Sequence, residues 1–178
     1  MNIVKKLIPV WFCLIANFSF AQPADNWTKA ERAYYNTMAG FCNYIESAPL
    51  NNLSKDTLFN NYFLFDYVLK DTSKERIKAR ELKFDELLNR FRHYLDSVGL
   101  KNLDARPVRF YKNNPRVYEP FTKDDLMAAA PNSFAWYNKN DPDHPLGYLW
   151  FDDENYKLIS WILIDQGGTH YFLVFNIL

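Results

Sequence analysis

Apolar spacing divides the chain into a helical half and a sheet half. Trp27, Ala30, Tyr34, Met38, Phe41 and Ile45 recur at intervals of three or four residues, the period of one helix face, and predict a helix over Asp25–Ala48. Asp25 offers a cap, Thr28 and Glu31 have the spacing of a capping box just inside, and Pro49 stops the run. Leu58, Tyr62, Phe65 and Leu69 keep the same period and predict a second helix over Ser54–Leu69, although Tyr62–Phe65 is also strand-prone in composition. A third helix is expected over Lys74–Val98. Ile77, Phe84, Phe91 and Val98 fall on heptad spacing, and Leu88 and Leu95 fill the same stripe. Thr72 with Glu75 offers a capping box, and Gly99 stands where a left-handed cap belongs. The heptads would permit a coiled-coil dimer but barely reach three repeats, so the helix is read as lying along a core. Its opposite face, Lys78, Arg80, Lys83, Glu86, Arg90 and Arg92, mixes signs and is expected in solvent.

From Asp104 the period shortens. Pro107 confines Arg106–Tyr111 to an edge strand, Asn113–Pro120 is connection, and Thr122–Ala130 reads as a short helix. Four strand-like runs follow: Ser133–Tyr137, Gly147–Phe151, Lys157–Asp165 and Thr169–Ile177. The last two are joined by Gly167-Gly168, where both residues can take positive φ, the strongest hairpin signal in the chain. Helices first and an antiparallel meander afterwards is the α+β pattern. The expected fold is three N-terminal helices, one long, packed on one face of a C-terminal meander sheet of four to five strands. This element order resembles the nuclear-transport-factor-2-like and cystatin-like architectures, in which a curved antiparallel sheet carries helices on one face and a cavity on the other. The likeness is one of fold alone.

The turns set a register. A tip at Gly167-Gly168 pairs Gln166 with Thr169, Asp165 with His170, Leu163 with Phe172 and Trp161 with Val174. Centring the preceding turn on Asp153-Glu154 pairs Trp150 with Lys157 and Tyr148 with Ile159. Because side chains alternate along a strand, one face then carries Leu149, Phe151, Tyr156, Leu158, Ser160, Ile162, Ile164, Tyr171, Leu173, Phe175 and Ile177, and is expected against the helices. The other carries Tyr148, Trp150, Lys157, Ile159, Trp161, Leu163, Asp165, His170, Phe172, Val174 and Asn176. This second face is too apolar to stay wet. It must be covered by Asn113–Ala130, by a second copy of the chain in a homodimer, or by a ligand.

Composition narrows the class. The chain has 178 residues, enough for one domain with a sizeable core; aromatic residues make up 18% and Gly numbers only 5, which excludes disorder and low complexity. Basic and acidic residues balance at 21 each, which argues against nucleic acid as a partner. Lys5 and Lys6, the apolar run Leu7–Phe20 and the small residues of Ser19-Phe20-Ala21 have the three parts of a secretory signal peptide over residues 1–21. Residues 22–178 are then a single α+β domain, secreted or periplasmic, with no stable membrane insertion once the leader is removed. Of the 2 cysteines only Cys42 lies outside the leader, on the apolar stripe of the first helix, and it is read as a core residue.

Candidate chemistry is sparse. Asp165 and His170 come out opposed at the end of the aromatic face, where a carboxylate could tune an imidazole as a general base, or simply form a cross-strand pair beside a tight turn. Asp141, Asp143, His144, Asp152, Asp153 and Glu154 crowd two loops but lack the spacing of a calcium loop, so they are read as solvated turn acids. Asn26-Trp27-Thr28 and Asn52-Leu53-Ser54 match a glycosylation pattern but sit where helix caps are needed. No phosphate loop, zinc motif or nucleophile elbow is present, and no cofactor is implied. The leading expectation is therefore non-catalytic binding of a small molecule or protein partner through Tyr148, Trp150, Trp161 and Phe172, with Asp165, His170, Lys157 and Asn176 at the rim. The alternatives are a small hydrolase or isomerase using Asp165–His170, and a compact inhibitor or structural component acting through its loops.

Overall fold

The computed structural model describes residues 26–48, 52–65, 73–175 and 178. The leader and its cleavage site, the Asp25 cap, Pro49, Leu69, Thr72, Asn176 and Ile177 lie outside the described residues.

The first helix, α1, spans Lys29–Ser47. It starts later than the apolar spacing suggests because the capping box wins: the Thr28 side chain accepts from the Glu31 N–H while Glu31 accepts from the Thr28 N–H at 2.6 Å. Helix α2 is short, Lys55–Asn61, with Ser54 as its N-cap. The chain then becomes extended, as the aromatic run Tyr62–Phe65 allows. Phe63 forms a parallel bridge with Leu158, and the Leu64 N–H and the Leu158 N–H donate to Leu158 and Tyr62 carbonyls at 2.9 and 2.8 Å. Helix α3 occupies Lys74–Val98 as predicted, capped by Ser73 and closed by Gly99 at φ 83°. Phe84, Leu88, Phe91 and Leu95 of the heptad stripe are buried. Arg80, expected in solvent, is buried too; its guanidinium covers the Phe65 ring at 4.6 Å and faces the Phe175 carbonyl.

Among the described residues, the sheet half contains six strands in two sheets. β1 (Leu103–Pro107), β2 (Ser133–Asn138), β3 (Gly147–Phe151) and β4 (Leu158–Ser160) form an antiparallel meander in that order. β1 is an edge strand that stops at Pro107, and Val108–Tyr111 is a 3₁₀ turn where strand was expected. β5 (Leu163–Gln166) and β6 (Thr169–Phe172) form a separate hairpin. The Gly167-Gly168 register is as predicted, with φ 64° and 85° at the two glycines. Between β1 and β2 lie two one-turn helices, α4 (Pro115–Tyr118) and α5 (Asp124–Met127), with 3₁₀ turns at Glu119–Thr122 and Ala130–Asn132.

Two expectations fail at the kink between β4 and β5. The predicted single strand Lys157–Asp165 breaks because the buried Ser160 hydroxyl accepts the Ile162 N–H at 3.0 Å, which turns the backbone out of the ladder. A bulge between Trp150 and Phe151 shifts the β3–β4 register, so Trp150 pairs with Ser160 and Phe151 with Leu158, in place of the pairing read from an Asp153-Glu154 tip. The connecting turn is longer, closed by the Asp152 N–H on the Lys157 carbonyl at 2.8 Å and passing through Tyr156 at φ 62°.

Two apolar cores flank the sheet. α1, α3 and Tyr62–Phe65 bury Leu103, Ala105, Phe134, Trp136, Leu149, Phe151 and Leu158 on the first face. The 108–130 strap covers the second, where Val117, Phe121, Leu126 and Ala129 close over Ala135, Tyr148, Trp150, Leu163 and Phe172. Cys42 belongs to the first core and is 8% exposed, with its thiol pushed up to about 12 by burial. Two polar links tie α1 to the sheet half. Glu31, 3% exposed, would be raised by burial, yet the Arg109 guanidinium and the Thr28 N–H hold its carboxyl below the usual range; Arg109 Nη2 donates to it at 2.9 Å. Asp104, by contrast, sits above the usual range because burial outweighs the Tyr35 hydroxyl (2.9 Å) and the Ala105 N–H (2.8 Å) that it accepts. Among the described residues, no helix is long and apolar enough to cross a membrane.

Candidate functional site

Of the six site residues expected on the second face, the structure packs three together beneath the strap. Tyr148, Trp150 and Phe172 share the second face with Leu163 beneath the strap. Trp150 stacks on Phe172 at 5.5 Å and 24°, and Phe121 meets Tyr148 edge-on at 5.2 Å. The Tyr148 hydroxyl donates to the Val117 carbonyl at 2.7 Å, which fastens the strap to β3. His170 is on the same side of the hairpin. The face that sequence spacing left open to three kinds of cover is thus covered from within the chain.

Trp161 is elsewhere. The kink at Ser160 rotates it by one position, and its ring stacks on Phe91 of α3 at 4.7 Å and 11°, with Phe175 at 4.4 Å and Phe63 at 5.4 Å. Trp161 packs against the helical core, and its pairing with Val174 does not form. The same kink leaves Ile162, Ile164, Tyr171 and Leu173 outside both cores, although alternation placed them against the helices. Tyr171 is 37% exposed.

Asp165 and His170 oppose each other across the hairpin as predicted, but their nearest atoms, Oδ2 and Nε2, are 3.9 Å apart, beyond a hydrogen bond. The Asp165 Oδ1 accepts the Gly168 N–H at 2.9 Å, so this carboxylate holds the turn. Lys157 is also committed: its Nζ donates to the Phe59 carbonyl at 2.9 Å. The two acidic loops lie at opposite ends of β3 and cannot share a cation. Arg106 binds Asp143 and the Pro142 carbonyl in the first, and His144 Nδ1 contacts Asp141 at 2.7 Å. Among the described residues no cluster of His, Cys, Asp and Glu could hold a metal ion.

A cleft of about 290 Å³ opens at the other end of β3, where the strap ends. Trp150, Phe151 and Ile159 supply its apolar wall, Ala128 and Ala129 its far side, and Asn132, Asp152 and Asp153 its polar groups. The Trp150/Phe151 bulge and the long turn after it create this space, since the tight turn expected from sequence would have drawn the acids in line with the strands. Asp152 is fixed by accepting the Glu154 and Asn155 N–H groups on Oδ2 at 3.2 and 2.9 Å. Asn132 Oδ1 accepts the Tyr34 hydroxyl at 3.0 Å, which anchors the cleft wall to α1.

No protein-family model matches the chain, and neither curated proteins nor solved structures give a significant match. The site therefore has to be judged by its own chemistry. Sequence spacing does not join Asn132 to the Asp152-Asp153 pair, because a strap end and a turn separated by two strands and the loop between them meet only in three dimensions; the adjacency of two acids to Trp150 is the one local signal.

Proposed function

We propose that this chain is an exported, non-catalytic binding domain for a small molecule, and that its site is the cleft beside Trp150. The observation that carries the reading is the cleft itself, close in volume to the lower range of small-ligand sites and lined by an aromatic and aliphatic wall with a few convergent polar groups. Binding, rather than proton transfer, fits the polar groups available. The two acids are adjacent in one turn, and the Asp165 of the other candidate pair is already used by a backbone N–H. With Phe121, Val117 and Leu126 covering the aromatic face, the argument for a homodimer through that face no longer applies. The basic and apolar leader supports export to a secreted or periplasmic location.

The reading is tested by a fragment screen followed by two-dimensional amide NMR on the chain after the leader. Binders are expected to shift Asn132, Trp150, Asp152 and Asp153 together, and Trp150→Ala is expected to remove the response while circular dichroism keeps its helical signal. Shifts scattered over the surface, or a response that survives loss of the Trp150 ring, would sink the assignment. Amino-terminal sequencing of exported material tests the leader, with cleavage expected after Ala21.

A further inference from the structure

The charge around the cleft says more about the occupant, granted that the cleft is a binding site. Its polar lining consists of Asn132, Asp152 and Asp153, and among the described residues no Lys, Arg or His lines it. Among the described residues neither carboxylate forms an ion pair. The basic residue that ends the turn, Lys157, is drawn away to the Phe59 carbonyl. Tyr34, which reaches the cleft wall through Asn132, is pushed up to about 12, first by burial and then by the charges of Asp153 and Asp152, so the negative field extends into the wall. An anionic ligand would meet two like charges without a counter-ion. A neutral polyol could donate hydrogen bonds but would leave both charges uncompensated as water is displaced. A cation compensates both, and the exposed part of an indole ring is the aromatic surface that best attracts one.

We propose that the cleft recognises an organic ammonium: an amine cation carried on a small apolar or aromatic body, with the body against Trp150 and Ile159 and the ammonium directed to Asp153 and Asp152. Asp153 is the freer of the two acids, since Asp152 already accepts two backbone N–H groups.

Phenethylamine, 2-phenylethanol and 3-phenylpropionate share a phenyl ring and a two-carbon arm and differ in head-group charge, which makes them matched probes. Affinity is read by calorimetry and by the amide shifts of Trp150 and Asp153 in the chain after the leader. The expected result is that phenethylamine binds at least about tenfold more tightly than 2-phenylethanol, equivalent to about 1.4 kcal/mol, and that 3-phenylpropionate is the weakest. That preference should shrink in high salt and disappear in Asp153→Asn, an exposed position whose replacement leaves the fold intact. Equal or tighter binding of the alcohol or the acid at the same residues would overturn the ammonium assignment and leave the cleft as a binding site of another specificity. An amine preference that persists unchanged in Asp153→Asn would overturn it as well. Failure of all three probes to move any cleft residue at millimolar concentration would overturn both this assignment and the binding reading on which it rests.

Discussion

Trp161 offers the sharpest test of the architecture, because alternation along an unbroken strand and the observed kink give it opposite roles. On the aromatic face its loss would weaken binding and spare the fold. In the structure its ring is sandwiched among Phe91, Phe175 and Phe63, and Phe84 adds an edge contact at 5.9 Å. Replacing a core Trp with Ala costs about 3–5 kcal/mol. Trp161 keeps part of its surface in solvent, which favours the lower end, about 3 kcal/mol. For a chain of this size each kcal/mol lowers Tm by roughly 2–4 °C, so a fall of about 6–12 °C is expected. Trp161→Phe, which keeps a ring against Phe91, should recover more than half of the loss. Thermal melts followed by circular dichroism, together with urea midpoints at constant m, measure both variants. A Trp161→Ala chain melting within about 2 °C of the parent, against the several degrees the core contacts imply, would refute the placement of Trp161 beneath α3.

Three further substitutions probe the links between the layers. Asp104→Asn keeps an acceptor for Tyr35 and Ala105 but removes a buried charge, so it should match or exceed parental stability at pH 7; because the native carboxyl titrates above its unfolded value, the parent loses stability as pH rises through that interval, and the difference between urea midpoints of parent and variant should grow from pH 4 to pH 7. Arg109→Ala strands Glu31 in a buried position and should cost about 2 kcal/mol, below the range for fully buried pairs because Arg109 is more than a third exposed. The sign reverses there: the Glu31 carboxyl titrates below its unfolded value, so its contribution is present at neutral pH and is lost as pH falls through the depressed native value, which acid titration of both chains would reveal. Ser160→Ala removes the acceptor for the Ile162 N–H and should cost about 1–2 kcal/mol, with hydrogen exchange accelerating at Ile162–Phe172 before the four-stranded sheet.

The features legible in the sequence are those written by neighbouring residues. Thr28 with Glu31, the heptad stripe of α3 with Gly99 behind it, and the two glycines of the β5–β6 turn each encode their geometry within a few positions, and each appears where expected. The strap is harder to read because α4, α5 and the 3₁₀ turn between them are single turns with no period to detect; they persist by placing Val117, Phe121 and Leu126 on a face supplied by distant strands. The burial of Arg80 is hidden from the helix period for a related reason, since it depends on Phe65 and Phe175 coming from separate segments. The candidate site mixed both cases. Tyr148, Trp150 and Phe172 follow from the hairpin and the strand period, whereas the removal of Trp161 depends on one hydroxyl and the opening of the cleft on one bulge.

These two local irregularities act together. Had β4 continued through Ile162 in the register of the Gly-Gly hairpin, Trp161 would have added a large ring to the second face and the strap would have had to stand off to admit it. The Ser160 kink sends that ring against the helical core, and the strap can then close on Trp150 and Phe172, while the end of β3 stays open. At that end the bulge swings Asp152 and Asp153 outward, so the remaining opening carries two carboxylates next to the indole that lines it. Closing most of an apolar face while keeping one charged, aromatic edge open is what a binding site requires of a scaffold: rigid packing around the position where a ligand replaces water. The kink that removed one residue from the expected site is therefore also what limits the site to its present size and gives it its charge.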